Sequence, residues 1–65
     1  MKWKKEKDTQ VFIRYRKKNY TINAIKMYKS GWKVYLFRDN YTVISKTAKT
    51  KVSAEKIIKG IMEKY

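Results

Sequence analysis

Sixty-five residues are enough for one small domain, and a chain of this length buries only about 60% of the surface its unfolded form exposes. It has no Cys and no His, which excludes disulfides, zinc fingers, haem ligation and thiol chemistry. Eighteen Lys and Arg against five Asp and Glu give a net charge of +13, an excess that repels itself in a compact state unless a polyanion relieves it.

A core must therefore come from apolar burial alone, with 43% hydrophobic residues to supply it. The polyanions that such a charge suits are nucleic acid, an acidic membrane surface or an acidic protein. The longest apolar run is Val34 to Phe37, too short to span a bilayer. No apolar stretch follows Lys2-Trp3-Lys4-Lys5, so the N-terminus does not read as a signal peptide. These features point to the cytoplasm, and to the nucleoid if the partner is DNA.

Residues 1–65 read as a single domain. Residues 1–9 are polar and mixed in charge apart from Trp3, and predict a basic N-terminal arm that is loose in the free protein. From Gln10 a period of two sets in: Val11, Ile13 and Tyr15 alternate with Phe12, Arg14 and Arg16. Lys17-Lys18-Asn19 predicts a hairpin turn, Asn being tolerant of positive φ. Tyr20 to Tyr28 fits two patterns, since Tyr20, Ile22 and Ala24 alternate as in a strand while Ile22, Ile25 and Tyr28 suit a helical face. Its shortness and the preceding turn favour a strand, kinked or bulged near Ala24-Ile25.

Ser30-Gly31 marks the next turn. Trp32 to Arg38 alternates cleanly, with Trp32, Val34 and Leu36 on one face and Lys33, Tyr35 and Phe37 on the other. Asp39-Asn40 suits a two-residue hairpin. Tyr41 to Thr47 returns as a strand, with Tyr41 and Val43 opposite Thr42, Ile44 and Lys46. After that the period changes. Ser53 is placed to cap a helix over 53–65, in which Ala54, Ile57, Ile58, Ile61, Met62 and Tyr65 recur every three or four residues as one apolar stripe. A helix this short is marginal alone in water and must dock. Val11, Ile13, Ile22, Trp32, Val34, Leu36 and Val43 offer the sheet face it needs. The expected fold is α+β: an antiparallel meander of three to four strands over residues 10–47, with one C-terminal helix packed on one face.

The opposite face then shows Phe12, Arg14, Arg16, Thr21, Asn23, Lys33, Tyr35, Phe37, Thr42, Ile44 and Lys46. Arg and Lys neutralise phosphates, and Arg and Asn pair with guanine and adenine edges in a major groove. Tyr35 and Phe37 suit stacking on unpaired bases. The bland alternative is a second hydrophobic cluster of Phe12, Tyr35, Phe37 and Ile44, covered by the arm or by a second copy in a homodimer. Lys46, Lys49 and Lys51, interleaved with Thr47, Thr50 and Ser53, form a basic lead-in to the helix suited to phosphate contact. The expected nucleic-acid-binding set is Arg14, Arg16, Asn23, Lys33, Tyr35, Lys46, Lys49 and Lys51, with DNA favoured over RNA and duplex over single strand.

The run Gly31-Trp32-Lys33-Val34, followed by Ser45-Lys46-Thr47-Ala48-Lys49-Thr50-Lys51-Val52-Ser53-Ala54-Glu55-Lys56, resembles the amino-terminal arm-site-binding domain of phage and transposon tyrosine integrases. The resemblance covers residues 31–65. It implies a three-stranded antiparallel sheet backed by one helix, the sheet entering a DNA major groove, and a free-standing relative from a phage or mobile element. Ala48 departs from it, standing where that family carries an aromatic. The order of sheet and helix is also similar to the transcriptional-coactivator and plant-defence-regulator type of single-stranded DNA-binding domain.

An enzyme is disfavoured by inventory. Acid–base work leans on His or on paired carboxylates, and here Asp39 falls in a turn while Glu55 and Glu63 lie apart on a solvated helix face. With Gly31 and Gly60 the only glycines, there is no glycine-rich phosphate loop. Neither a metal nor a cofactor is implied, and no membrane role is expected. The competing function class is a protein-interaction module for an acidic partner, anchored by Tyr and Trp and steered by Lys and Arg.

Overall fold

Among the described residues five strands and one helix follow one another: β1 (Lys4–Asp8), β2 (Phe12–Lys17), β3 (Tyr20–Lys26), β4 (Trp32–Arg38), β5 (Tyr41–Ala48) and α1 (Lys51–Lys64). They are seen in a computed structural model that describes residues 2–29 and 31–65. The strands form one antiparallel sheet in the order β1-β2-β3-β4-β5, and α1 packs across β3, β4 and β5. The class is the α+β arrangement that the sequence predicts, with one strand more.

The additional strand is β1. The segment expected to be a loose arm pairs with β2 through Lys4↔Arg16, Lys5↔Tyr15, Lys7↔Arg14 and Asp8↔Ile13, with a bulge between Lys5 and Lys7. Backbone pairing explains how five consecutive charged residues form a strand: each side chain stays in water while its peptide groups join the ladder. Trp3, just before β1, packs on the core beside Tyr20, with ring centroids 6.3 Å apart, and Tyr20 in turn lies 5.7 Å from Tyr65. The Lys17 ammonium lies 5.6 Å from the Trp3 ring and donates to the Tyr65 carbonyl oxygen at 2.7 Å, joining both chain ends to β2.

Tight turns join the next strands. Lys17↔Tyr20 and Arg38↔Tyr41 close two-residue hairpins. The residues in left-handed conformation are Lys18 (φ 53°) and Asp39 (φ 55°), rather than the Asn that follows each. β3 runs in unbroken register with both neighbours, so no bulge interrupts it at Ala24-Ile25, where the sequence favours a kink or bulge. The bulge lies instead in β5, where Val43 is the extra residue between Thr42 (opposite Phe37) and Ile44 (opposite Leu36). Ser30, half of the expected turn before β4, lies outside the described residues, as does Met1. Gly31 has φ 72°, and a Cβ there would overlap the Ala48 carbonyl oxygen, so this position admits glycine alone.

The core is the layer between sheet and helix: Ile13, Ile22, Ala24, Trp32, Val34 and Leu36 from the strands, and Ala54, Ile58 and Ile61 from α1, all buried. Ile57, Met62 and Tyr65 complete the predicted helical stripe from its margins. Two residues expected in this layer are outside it: Val11 precedes β2 and is 58% exposed, and Val43, the extra residue of the β5 bulge, is 41% exposed. The helix begins earlier than expected. Thr50, not Ser53, is its N-cap, accepting from the Ser53 backbone N–H at 3.1 Å.

Candidate nucleic-acid interface

Strand pairing determines which side chains share the sheet face away from the helix, because directly paired residues point the same way. Two rows cross that face. One runs Lys4, Arg16, Thr21, Phe37, Thr42, and the next runs Lys7, Arg14, Asn23, Tyr35, Ser45. A third, nearer the end of the sheet that carries Gly31, runs Phe12, Ile25, Lys33, Thr47. Residues 4–8 pair at the edge of the sheet and Trp3 packs on the core, so the alternative in which the N-terminal arm covers this face does not apply.

Five of the expected residues, Arg14, Arg16, Asn23, Lys33 and Tyr35, are therefore together on one surface. Arg14 donates from Nε to Asn23 Oδ1 at 3.1 Å, and its guanidinium carbon lies 5.1 Å from the Phe12 ring centroid. Packing on one side and a hydrogen bond on the other hold this guanidinium in place. Tyr35 and Phe37, two apart on β4, are stacked with centroids 5.7 Å apart and planes at 26°. Both rings are half-buried.

Lys46 is not on this surface. It pairs with Val34 and Ile44 pairs with Leu36, which puts both on the helix side of the sheet, Ile44 against the core and Lys46 exposed at its edge. The expected alternation of β5 is inverted over this stretch because the Val43 bulge resets the period. The two remaining lysines differ from each other. Lys49 is exposed and borders a shallow depression with Lys29, Lys33 and Thr47, so it extends the basic surface around the end of β4 and β5. Lys51 is half-buried and turned to Asp8, with Nζ 3.2 Å from Oδ1.

Lys4 and Lys7 belong to the surface and were hidden in the sequence. They are three apart, which in a regular strand puts them on opposite faces, and only the bulge at Glu6 brings both onto the same side as Arg14 and Arg16. The acidic residues are distributed unevenly. Of the five in the chain, Glu6 alone borders this face, 3.9 Å from Arg16 Nε. Asp8 faces the helix side between Lys5 and Lys51, with Lys5 Nζ 3.1 Å away. Hydrogen bonds from Lys5 and then Lys51 hold the Asp8 carboxyl below its ordinary 3.8, and the same contact raises the Lys5 ammonium above its ordinary 10.5.

No helix among the described residues is long and apolar enough to cross a membrane. Comparison of the chain with family models, with curated proteins and with solved structures finds no match.

Proposed function

We propose that this chain binds nucleic acid through the sheet face away from the helix, as a small non-catalytic protein of the cytoplasm or nucleoid. The observation that carries the reading is the charge layout of that face. Lys4, Lys7, Arg14, Arg16 and Lys33 share it with Asn23, Thr21, Ser45 and Thr47, while four of the five acidic residues lie elsewhere. Cationic groups beside short polar side chains suit phosphate neutralisation combined with base-edge contact.

Dimensions favour one part of the face for duplex DNA. Five strands at about 4.8 Å spacing make a sheet about 19 Å across, wider than the roughly 12 Å of a B-form major groove. A ribbon of β1, β2 and β3 spans about 10 Å by the same spacing and carries Lys4, Lys7, Arg14, Arg16 and Asn23. In this account that ribbon meets the groove, and Lys33 and Lys49 touch the flanking backbone. The resemblance of residues 31–65 to integrase arm-site domains supports a sheet-in-groove mode in general, though here the densest charge lies nearer the N-terminus.

The Tyr35–Phe37 pair favours a second reading, a single strand whose bases stack over β4 while its phosphates follow β2. The test is the double variant Arg14→Ala with Arg16→Ala, compared with Lys46→Ala. On this proposal the double variant binds duplex DNA more weakly and lowers the salt slope by up to about two, and Lys46→Ala leaves the slope nearly unchanged. Equal effects from both would move the site off this face.

A further inference from the structure

The meander leaves two edge strands, and they differ in how they meet water. All five residues of β1 are charged (Lys4-Lys5-Glu6-Lys7-Asp8) and a bulge interrupts it, two devices that keep an edge from pairing with another chain. β5 is the longest strand at eight residues, and Lys46 is the one charged residue in it. Its other members are Tyr, Thr, Val, Ile, Ser and Ala, and Tyr41 (78%) and Val43 (41%) are among the most exposed apolar side chains. With a single lysine and a bulge confined to its N-terminal half, a strand this rich in β-formers is the less guarded of the two edges.

We propose that β5 pairs antiparallel with β5 of a second copy, joining two sheets across a two-fold axis at Ser45, and that charge repulsion between the free monomers holds this association in check. The register follows from the strand itself. With the axis at Ser45, Ile44 faces Lys46 of the second copy, both on the helix side of the joint sheet, and the two lysines avoid each other. An axis one residue further on would set Lys46 against Lys46. The Val43 bulge ends the ladder on its N-terminal side. Both basic faces then continue on one side of a ten-stranded sheet.

At +13 each, two copies repel strongly in dilute salt, so the contact forms where that repulsion is screened by salt or by a polyanion bound along the joint face. The proposal rests on the nucleic-acid reading only for the identity of that polyanion. Salt separates the two ideas, because it weakens phosphate binding and strengthens self-association.

The experiment is sedimentation equilibrium of the free chain as potassium chloride rises from about 0.1 M to about 1 M, where the Debye length falls from ~10 Å to ~3 Å. The native chain is expected to move from its 7.9 kDa monomer towards twice that mass. Ser45→Lys, which places two ammonium groups at the axis, stays monomeric throughout. Gln10→Lys, exposed in the β1–β2 connection, adds the same charge away from β5 and follows the native chain. Circular dichroism and thermal melts verify that both variants are folded. A native chain that stays monomeric at every salt concentration, or a Ser45→Lys variant that dimerises like the native chain, overturns the proposal. Loss of nucleic-acid binding with dimerisation intact would overturn the functional reading alone.

Discussion

Arg14 donates through Nε to the Asn23 side-chain carbonyl at 3.1 Å, across the β2–β3 pair on the face away from the helix. That bond occupies one of the two lone pairs of Asn23 Oδ1, the atom that adenine recognition would use as an acceptor, and engages Arg14 through Nε rather than through its terminal nitrogens. If nucleic acid binds this face, as proposed, that bond gives Asn23 a part in positioning Arg14. Asn23→Ala should weaken nucleic-acid binding in the native background and have little further effect once Arg14 is alanine. A double-mutant cycle by anisotropy tests this, with a coupling of about 0.5–3 kcal/mol expected for groups in direct contact. Additive losses would assign Asn23 a contact of its own.

The N-terminal segment is structural as well as basic. Trp3 is half-buried against Tyr20 and the core, so Trp3→Ala should cost about 2 kcal/mol, below the 3–5 kcal/mol of a fully buried aromatic. Chemical denaturation with a tyrosine or circular-dichroism readout measures it. A loss under about 0.5 kcal/mol, typical of a surface change, would mean that the segment is held by β1 pairing alone.

The two glycines predict changes of opposite sign. Gly31→Ala puts a Cβ into the Ala48 carbonyl oxygen at φ 72° and should lower stability by more than about 2 kcal/mol. Gly60 lies in α1 with open space where a side chain would go, so Gly60→Ala should raise stability by about 1 kcal/mol through helix propensity. Thermal melts of the two variants beside the native chain decide both.

How far the sequence foretold this arrangement depended on whether a period survived. The stripe from Ala54 to Tyr65 and the alternation of Trp32 to Arg38 were unbroken and gave the helix, β4 and the core between them. β1 was illegible because a strand made wholly of charged residues carries no hydrophobic period at all. In β5 a single extra residue, Val43, inverted the faces of Ile44 and Lys46. The same kind of slip in β1 concealed Lys4 and Lys7 from a reading based on alternation. The helix start was misplaced because Thr50 and Ser53 are both good caps, and only backbone geometry separates them.

Asp8 pairs with Lys5 inside β1 and with Lys51 at the start of α1, and its carboxyl is held below 3.8 chiefly by the hydrogen bond from Lys5, with Lys51 second. A carboxylate lowered in the folded state contributes stability that is present above its unfolded value and lost as pH falls through its folded value. Asp8→Asn should therefore melt slightly lower than the native chain at neutral pH, and the difference should shrink below about pH 4 as both forms become neutral at this position. Melting curves from pH 7 down to about pH 2 measure the gap. A gap that stays constant would mean that the pairs with Lys5 and Lys51 contribute nothing to stability.

The central claim is that the face bearing Lys4, Lys7, Arg14, Arg16 and Lys33 binds a polyanionic strand, and its most direct test is a salt titration of binding. Fluorescence anisotropy with labelled duplex and single-stranded DNA of equal length should show binding at low salt. If those five groups and Lys49 each meet a phosphate, log K for the duplex falls against log salt with a slope of about −5. Tighter binding of the single strand, with a shallower slope, would shift the contact to Tyr35 and Phe37. Negligible binding of both at about 0.15 M salt, or a slope near zero, would contradict the account and leave an acidic protein as the partner to seek.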